Sequence, residues 1–263
     1  MDGTLKSIDF FIGACEPGCL DIYEVLRIQD HQPLFWTDHL QRLENSMNIG
    51  LKTSWLTQHQ IRQKIDLLIA SNSLSDGNIK LEFRFKQNGE QHFLAYFIPT
   101  RYPSADQYQK GVACCLLHAE RTQPRAKIYN PQLRGAANQL IREKSVFETL
   151  LVDHNGFITE GSRSNVFFIR NQQLFTAPDE TVLSGVIRKK VIEVIGDLQL
   201  PLHYKCMHYH DLSEVDAAFI TGTSLRILPL SDIESSHLNP HHPFIHQLST
   251  GLNTLIERHN PQQ

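Results

Sequence analysis

No apolar run in the 263 residues approaches the roughly 20 needed to cross a bilayer, and Met1-Asp-Gly-Thr-Leu-Lys-Ser7 lacks the basic-then-apolar plan of a signal peptide. No membrane partner is therefore expected, and a cytoplasmic address is. There is no basic surplus: 25 Lys and Arg against 28 Asp and Glu leave a net charge of −3, which gives nucleic acid nothing to hold. Five cysteines, an odd number in a long chain, make no disulfide framework and fit a reducing compartment. Cys15 and Cys19 lack a second pair at metal-ligand spacing, while Cys114 and Cys115 lie in the apolar run Val112 to Leu117 and read as buried. Of the 14 histidines, His237, His241, His242 and His246 cluster near the polar start of a C-terminal helix opened by His242-Pro-Phe-Ile-His246, so no metal site is expected. Internal repeats and low-complexity segments are also missing, which excludes a repeat architecture.

What is present suits a globular protein with a small polar substrate. An apolar fraction of 41% is enough to build a core, and the length fits one large domain or two modest ones. Ile22 to Ile28 reads as a strand, Gln29-Asp-His-Gln-Pro33 as a hairpin turn, and Leu40, Leu43 and Met47 recur at helical spacing behind a Thr37 or Asp38 cap, ending near Gly50. A second helix from Thr57 to Ser71 precedes strands at Ile79 to Lys86 and His92 to Ile98, joined at Asn88-Gly89. Arg101 to Gln109 shows no periodicity and marks the boundary between two lobes, residues 1–105 and 110–263. The second lobe reads as a helix from Pro131 to Ser145, strands at Glu148 to Asp153, Phe157 to Thr159 and Asn165 to Ile169, a helix from Val186 to Gly196 and a strand at Ala217 to Thr221. The class is α+β.

The chemistry rests on Lys127, in Lys127-Ile-Tyr-Asn130, and Glu160, in Thr159-Glu-Gly-Ser-Arg-Ser-Asn-Val-Phe167. A lysine amine whose pKa falls on partial desolvation can hold pyridoxal phosphate as a Schiff base, and a carboxylate facing the pyridine nitrogen keeps that ring protonated and electron-accepting. The plain alternatives are a solvated surface lysine and a turn glutamate. Gly185-Val-Ile187, opening an amphipathic helix, can seat a phosphate on its unpaired N–H groups, or be an ordinary loop before a helix.

The run Phe147 to Phe168, with Lys127-x-x-Asn130 upstream and Leu183-Ser-Gly-Val-Ile-Arg188 downstream, resembles the class IV (fold type IV) pyridoxal-phosphate enzymes over nearly the whole chain. That family includes branched-chain and D-amino-acid aminotransferases and aminodeoxychorismate lyases. The resemblance implies two α/β lobes, the smaller N-terminal and the larger C-terminal, with the cofactor in the cleft, and a homodimer. It makes Lys127 the Schiff-base lysine and Glu160 the partner of the pyridine nitrogen. Arg42, in a segment similar to the family's His-x-x-Arg-Leu helix, becomes a phosphate ligand. Leu183 would pack beneath the ring, the amides of Val186 and Ile187 would meet the phosphate, and Thr223 would add a contact to it. Tyr23 matches an aromatic pocket position and reads either as a substrate-carboxylate ligand or as a core aromatic. Two departures stand out: Ile187 occupies a position where the family usually has threonine, and Phe83-Arg-Phe-Lys-Gln-Asn-Gly89 replaces an Arg-Gly pair. The implied activity is transamination between a small amino acid and a 2-oxo acid. The alternatives are aminodeoxychorismate lyase chemistry and a non-catalytic or metal-dependent domain.

Overall fold

Strand β1, Leu20–Gln29, buries Ile22, Leu26 and Ile28 on one face at alternate positions, with Glu24 on that same apolar face. Its turn places Asp30 and His31 at φ 50° and 62°, the left-handed geometry that folds a two-residue hairpin, so that β2, Gln32–Pro33, returns antiparallel. The computed structural model describes residues 18–99 and 102–259, which leaves Met1 to Ser7, Cys15 and Arg101 outside the described residues. The chain divides into two units, residues 1–100 with Ala126–Tyr129, and residues 101–125 with 130–263.

In the first unit β1, β2, β3 (Gly77–Phe85) and β4 (Gln91–Ile98) form an antiparallel sheet of order β2-β1-β3-β4. Helices α1 (Trp36–Ile49) and α2 (Gln58–Asn72) bring Leu40, Leu43, Met47, Ile61, Ile65 and Ile69 into one core with Ile22, Ile79, Leu81 and Phe83. Thr57 caps α2 with a reciprocal Thr57–Gln60 box. The expected cap of α1 at Thr37 or Asp38 is incorrect. Phe35 is the N-cap, in a left-handed conformation (φ 50°) with no capping hydrogen bond to the helix start, and the buried Leu34-Phe35 pair sets the entry of the chain.

The second unit is built on a mixed sheet of ten strands, formed by β5 (Val112–His118), β6 (Glu148–Val152), β7 (Phe157–Gly161), β8 (Asn165–Arg170), β9 (Gln173–Thr176), β10 (Leu202–Tyr204), β11 (Met207–His208), β12 (Ala217–Gly222), β13 (Arg226–Ile233) and β14 (Ser236–His237). Within it Phe167 and Phe219 stack at 5.0 Å with an interplanar angle of 7°, both fully buried. The expected aperiodic stretch before Gly111 contains α3, Ala105–Lys110, capped by Ser104 and Gln107; six residues are too few to show a helical period. Helices α4 (Pro131–Lys144), α5 (Val186–Asp197) and α6 (Pro243–His259) complete the unit. At the start of α6, His242 is buried rather than solvated: its ring meets Phe244 edge-on at 5.2 Å, and burial lowers its pKa. Among the described residues no helix is long and apolar enough to cross a membrane, and no cluster of three or more His, Cys, Asp or Glu has metal-binding geometry.

Candidate active site

In the first unit the predicted residues Tyr23, Arg42 and Lys127 gather around the start of β1. His39 and Arg42, one turn apart on α1, point at the same carboxylate. Arg42 Nε donates to Glu24 Oε1 at 2.8 Å and Nη2 to Oε2 at 2.6 Å, while His39 Nδ1 lies 2.9 Å from Oε2. All three side chains are buried. Burial pushes the Glu24 carboxyl up, but the charge and hydrogen bonds of Arg42, joined by His39, bring it down to about 2. Burial outweighs Glu24 at His39 and lowers its pKa, so the ring is the neutral member of the group.

Ser46, one turn beyond Arg42 and fully buried, joins this group to Lys127. Its hydroxyl donates to the Arg42 carbonyl at 2.8 Å and accepts the Lys127 backbone N–H at 3.0 Å. The Lys127 carbonyl accepts from Tyr23 N–H at 3.1 Å, Ile128 bridges antiparallel to Ile22, and Tyr129 N–H donates to the Asp21 carbonyl at 2.9 Å. The lysine backbone is thus fixed on both sides. Its side chain is half-buried, with Nζ 4.8 Å from the centre of the Tyr23 ring. Tyr23 also meets Tyr129 edge-on and has Lys80 Nζ 5.1 Å from its ring centre.

In the second unit Glu160, Leu183, Val186, Ile187 and Thr223 fall on β7, the α5 entry and the turn after β12. Glu160 is a buried residue, 2% exposed, not a surface turn. Its Oε1 accepts from Arg121 Nε at 2.7 Å and its Oε2 from the Leu183 N–H at 3.3 Å. The Leu183 carbonyl accepts from Asn165 Nδ2 at 2.8 Å, so the residue is held through both its N–H and its carbonyl. Two residues on, Gly185 is the N-cap of α5 with no side-chain bond to the helix start, and a Cβ there would lie 2.0 Å from Asn165 Oδ1. A side chain there would have to displace the Asn165 amide, which is held by its bond to the Leu183 carbonyl. Buried Arg188 secures the first turn of α5 by donating to the Ala177 carbonyl and Asp179. Thr221 pairs with Asn165 in the β12–β8 ladder and has a buried hydroxyl without a hydrogen-bond partner, whereas Thr223 is half-buried in the following turn.

Glu148, on β6, holds the loop after Glu160. Its Oε1 accepts from Thr149 N–H and Ser162 Oγ, and its Oε2 from Arg163 N–H and Ser164 Oγ. Glu24, His39, Ser46, Arg121, Glu148 and Asn165 are among the residues that the sequence analysis leaves unassigned. Ser46 was within reach, lying four residues beyond Arg42 on the same helix face. A separate open cavity of about 580 Å³ around His118, His154, His208 and Tyr209 includes none of the residues above.

A family model described as amino-transferase class IV matches residues 21–233. The D-alanine aminotransferase of Bacillus licheniformis is 26% identical over 225 residues, 81% of this chain and 78% of that protein. The aminodeoxychorismate lyase of Bacillus subtilis is 24% identical over 230 residues, 82% and 78%. Among solved structures, a branched-chain amino acid aminotransferase of Escherichia coli superposes with a TM-score of 0.81 at 19% identity, covering 90% of this chain and 86% of that one.

Proposed function

The chain belongs to the class IV aminotransferase family and has the fold type IV architecture, and from that premise we propose a pyridoxal-5′-phosphate enzyme that moves an amino group between a small amino acid and a 2-oxo acid. The observation that carries this reading is the fixed backbone and half-buried amine of Lys127. The donor set of the second unit fits the cofactor. The start of α5, with no side-chain cap and a glycine at its entry, offers N–H groups to a phosphate, and Thr221, the ladder partner of Asn165, has a buried hydroxyl without a hydrogen-bond partner.

Pyridoxal phosphate supplies an aldehyde that condenses with amines and a ring that accepts the electron pair left when the substrate α-proton departs. Lys127 Nζ is the general base that takes this proton and returns it. Glu160 holds a proton on the ring nitrogen, and Leu183 keeps water from the ring face. Val186 and Ile187 donate backbone N–H to the phosphate, and Thr223 adds its hydroxyl. The charge of Arg42 is balanced by Glu24, so it acts on the phosphate as an oriented donor rather than as a net charge. Tyr23, beside Lys127 Nζ, orients the substrate carboxylate. The same reading includes a homodimer in the cytoplasm that binds neither nucleic acid nor membrane; sizing chromatography with light scattering tests the dimer.

The deciding experiment incubates the holoenzyme with L- and D-amino acids and several 2-oxo acids. Amino transfer that requires the acceptor supports the reading. The lyase relative favours a second one, in which aminodeoxychorismate yields pyruvate and 4-aminobenzoate with no acceptor present. Acceptor-independent pyruvate release would replace the first reading by the second. Ile187→Thr restores a hydroxyl at the phosphate seat; a net hydrogen bond of about 1 kcal/mol predicts roughly fivefold tighter cofactor binding, read by fluorescence titration.

A further inference from the structure

Arg121 has no role in the reading above, yet it is bonded directly to Glu160. We propose that Arg121 is a positioning residue that keeps Glu160 ionised and directs its second oxygen, an inference that rests on the reading of Glu160 as the partner of the pyridine nitrogen. Burial alone favours the neutral form of a carboxyl, and a neutral acid cannot stabilise a positive charge on a ring nitrogen. The guanidinium supplies the opposing charge 2.7 Å from Oε1, with its own side chain only 14% exposed.

The placement of Arg121 is specific. Its Nη2 donates to the Ser162 carbonyl at 2.7 Å, so two edges of the planar fork are engaged at once. Ser162 is itself anchored, its hydroxyl donating to buried Glu148 at 2.7 Å. The sequence Glu148, Ser162, Arg121, Glu160 therefore ties the acidic group to the β6 backbone beneath it. With Oε1 committed to the guanidinium, Oε2 accepts from the Leu183 N–H and is the oxygen that would serve the ring nitrogen of a bound cofactor.

Other charged or titratable groups on the elements packed against β7 are accounted for. Glu148 on β6 accepts from two backbone N–H groups and two hydroxyls, and Arg163 in the loop donates to Asn138. His208 on β11 pairs with Phe157 at the far end of β7, and Arg170, at the far end of β8, pairs with Glu214.

The test compares wild type, Arg121→Gln, Arg121→Lys and Glu160→Gln, measuring both kcat and apparent pyridoxal-phosphate affinity across pH. Removing a cation in contact with a carboxylate raises its pKa by about one to three units, so the acid limb of both profiles in Arg121→Gln should move up by that amount. Activity in the variant should recover toward wild type at alkaline pH. Arg121→Lys, which keeps the charge and loses the fork, should shift less, and Glu160→Gln should lack the limb. A loss in Arg121→Gln of the same factor at every pH would overturn the inference, as would an unmoved acid limb. If Arg121→Gln fails to fold by circular dichroism, Arg121→Ala takes its place, and an acid limb there that coincides with wild type overturns the inference equally. A wild type that takes up no pyridoxal phosphate would sink the functional reading as well, whereas a working wild type with an unshifted Arg121→Gln sinks this inference alone.

Discussion

Lys127→Ala is expected to fold, to lose the visible absorbance of bound pyridoxal phosphate, and to turn over at least about 10³-fold more slowly than wild type, the upper range for removal of a positioned general base. The variant should fold because the structural work of this residue is done by its backbone. The N–H that reaches Ser46 and the carbonyl that accepts from Tyr23 are both kept by alanine. Among what leaves with the side chain is an amine over the Tyr23 ring, a contact worth about 0.5–1 kcal/mol at a partly exposed site. Thermal unfolding monitored beside steady-state rates separates the two effects. A variant with more than a tenth of wild-type turnover would remove Lys127 from the chemistry.

The second large effect concerns Glu24. Its folded-state value of about 2 lies below the ordinary 4.5, so its contribution is complete above about pH 4.5 and is lost as the pH falls toward 2. The difference corresponds to about 3 kcal/mol of stability at neutral pH. Arg42→Met leaves that carboxylate buried without its guanidinium, with only His39 beside it, and should cost about 3–5 kcal/mol at neutral pH. In this variant burial dominates, the folded-state value rises above the unfolded one, and mild acid should stabilise rather than destabilise. The double variant Glu24→Gln/Arg42→Met should recover most of the loss. Denaturant midpoints at neutral and acid pH test this; an Arg42→Met variant that loses stability in acid as steeply as wild type would show that the pair is not coupled as described.

Long, patterned or turn-marked segments were legible in the sequence. The β6–β7 hairpin shows why: Asp153 Oδ1 accepts from Asn155 and Phe157 N–H, and Gly156 takes a φ of 87°, all within the five residues Asp153 to Phe157. The same holds for α5, where a glycine cap precedes a regular apolar stripe. Strand β13 was not legible because Pro229 interrupts it. Proline removes a ladder donor, and the pairing of β13 with β5 changes register close behind it, between Leu230 and Asp232. Strands β10, β11 and β14 are too short for any period to emerge.

In the candidate site, the side chains singled out from the sequence stand inside motifs, and the groups that hold them do not. Arg121 meets Glu160 across 39 positions of sequence, and Ser46 meets Lys127 across 81. No local pattern encodes such pairings, because they arise from strand register and helix docking. Isoleucine at 187 shows the converse, a local departure plain in the sequence whose effect on phosphate binding only titration can measure.

Ala126–Tyr129 belongs to the first unit although the chain on either side of it belongs to the second. During synthesis the first unit therefore cannot complete its edge beside β1 until residue 129 has cleared the ribosome, by which time β5 of the second unit has already emerged. Nor can a single cut in the gene separate the two units, since a fragment ending at residue 100 would lack Lys127 and its rung against Ile22. Swapping either unit with a relative's would need three junctions, one of them on each side of a four-residue insert.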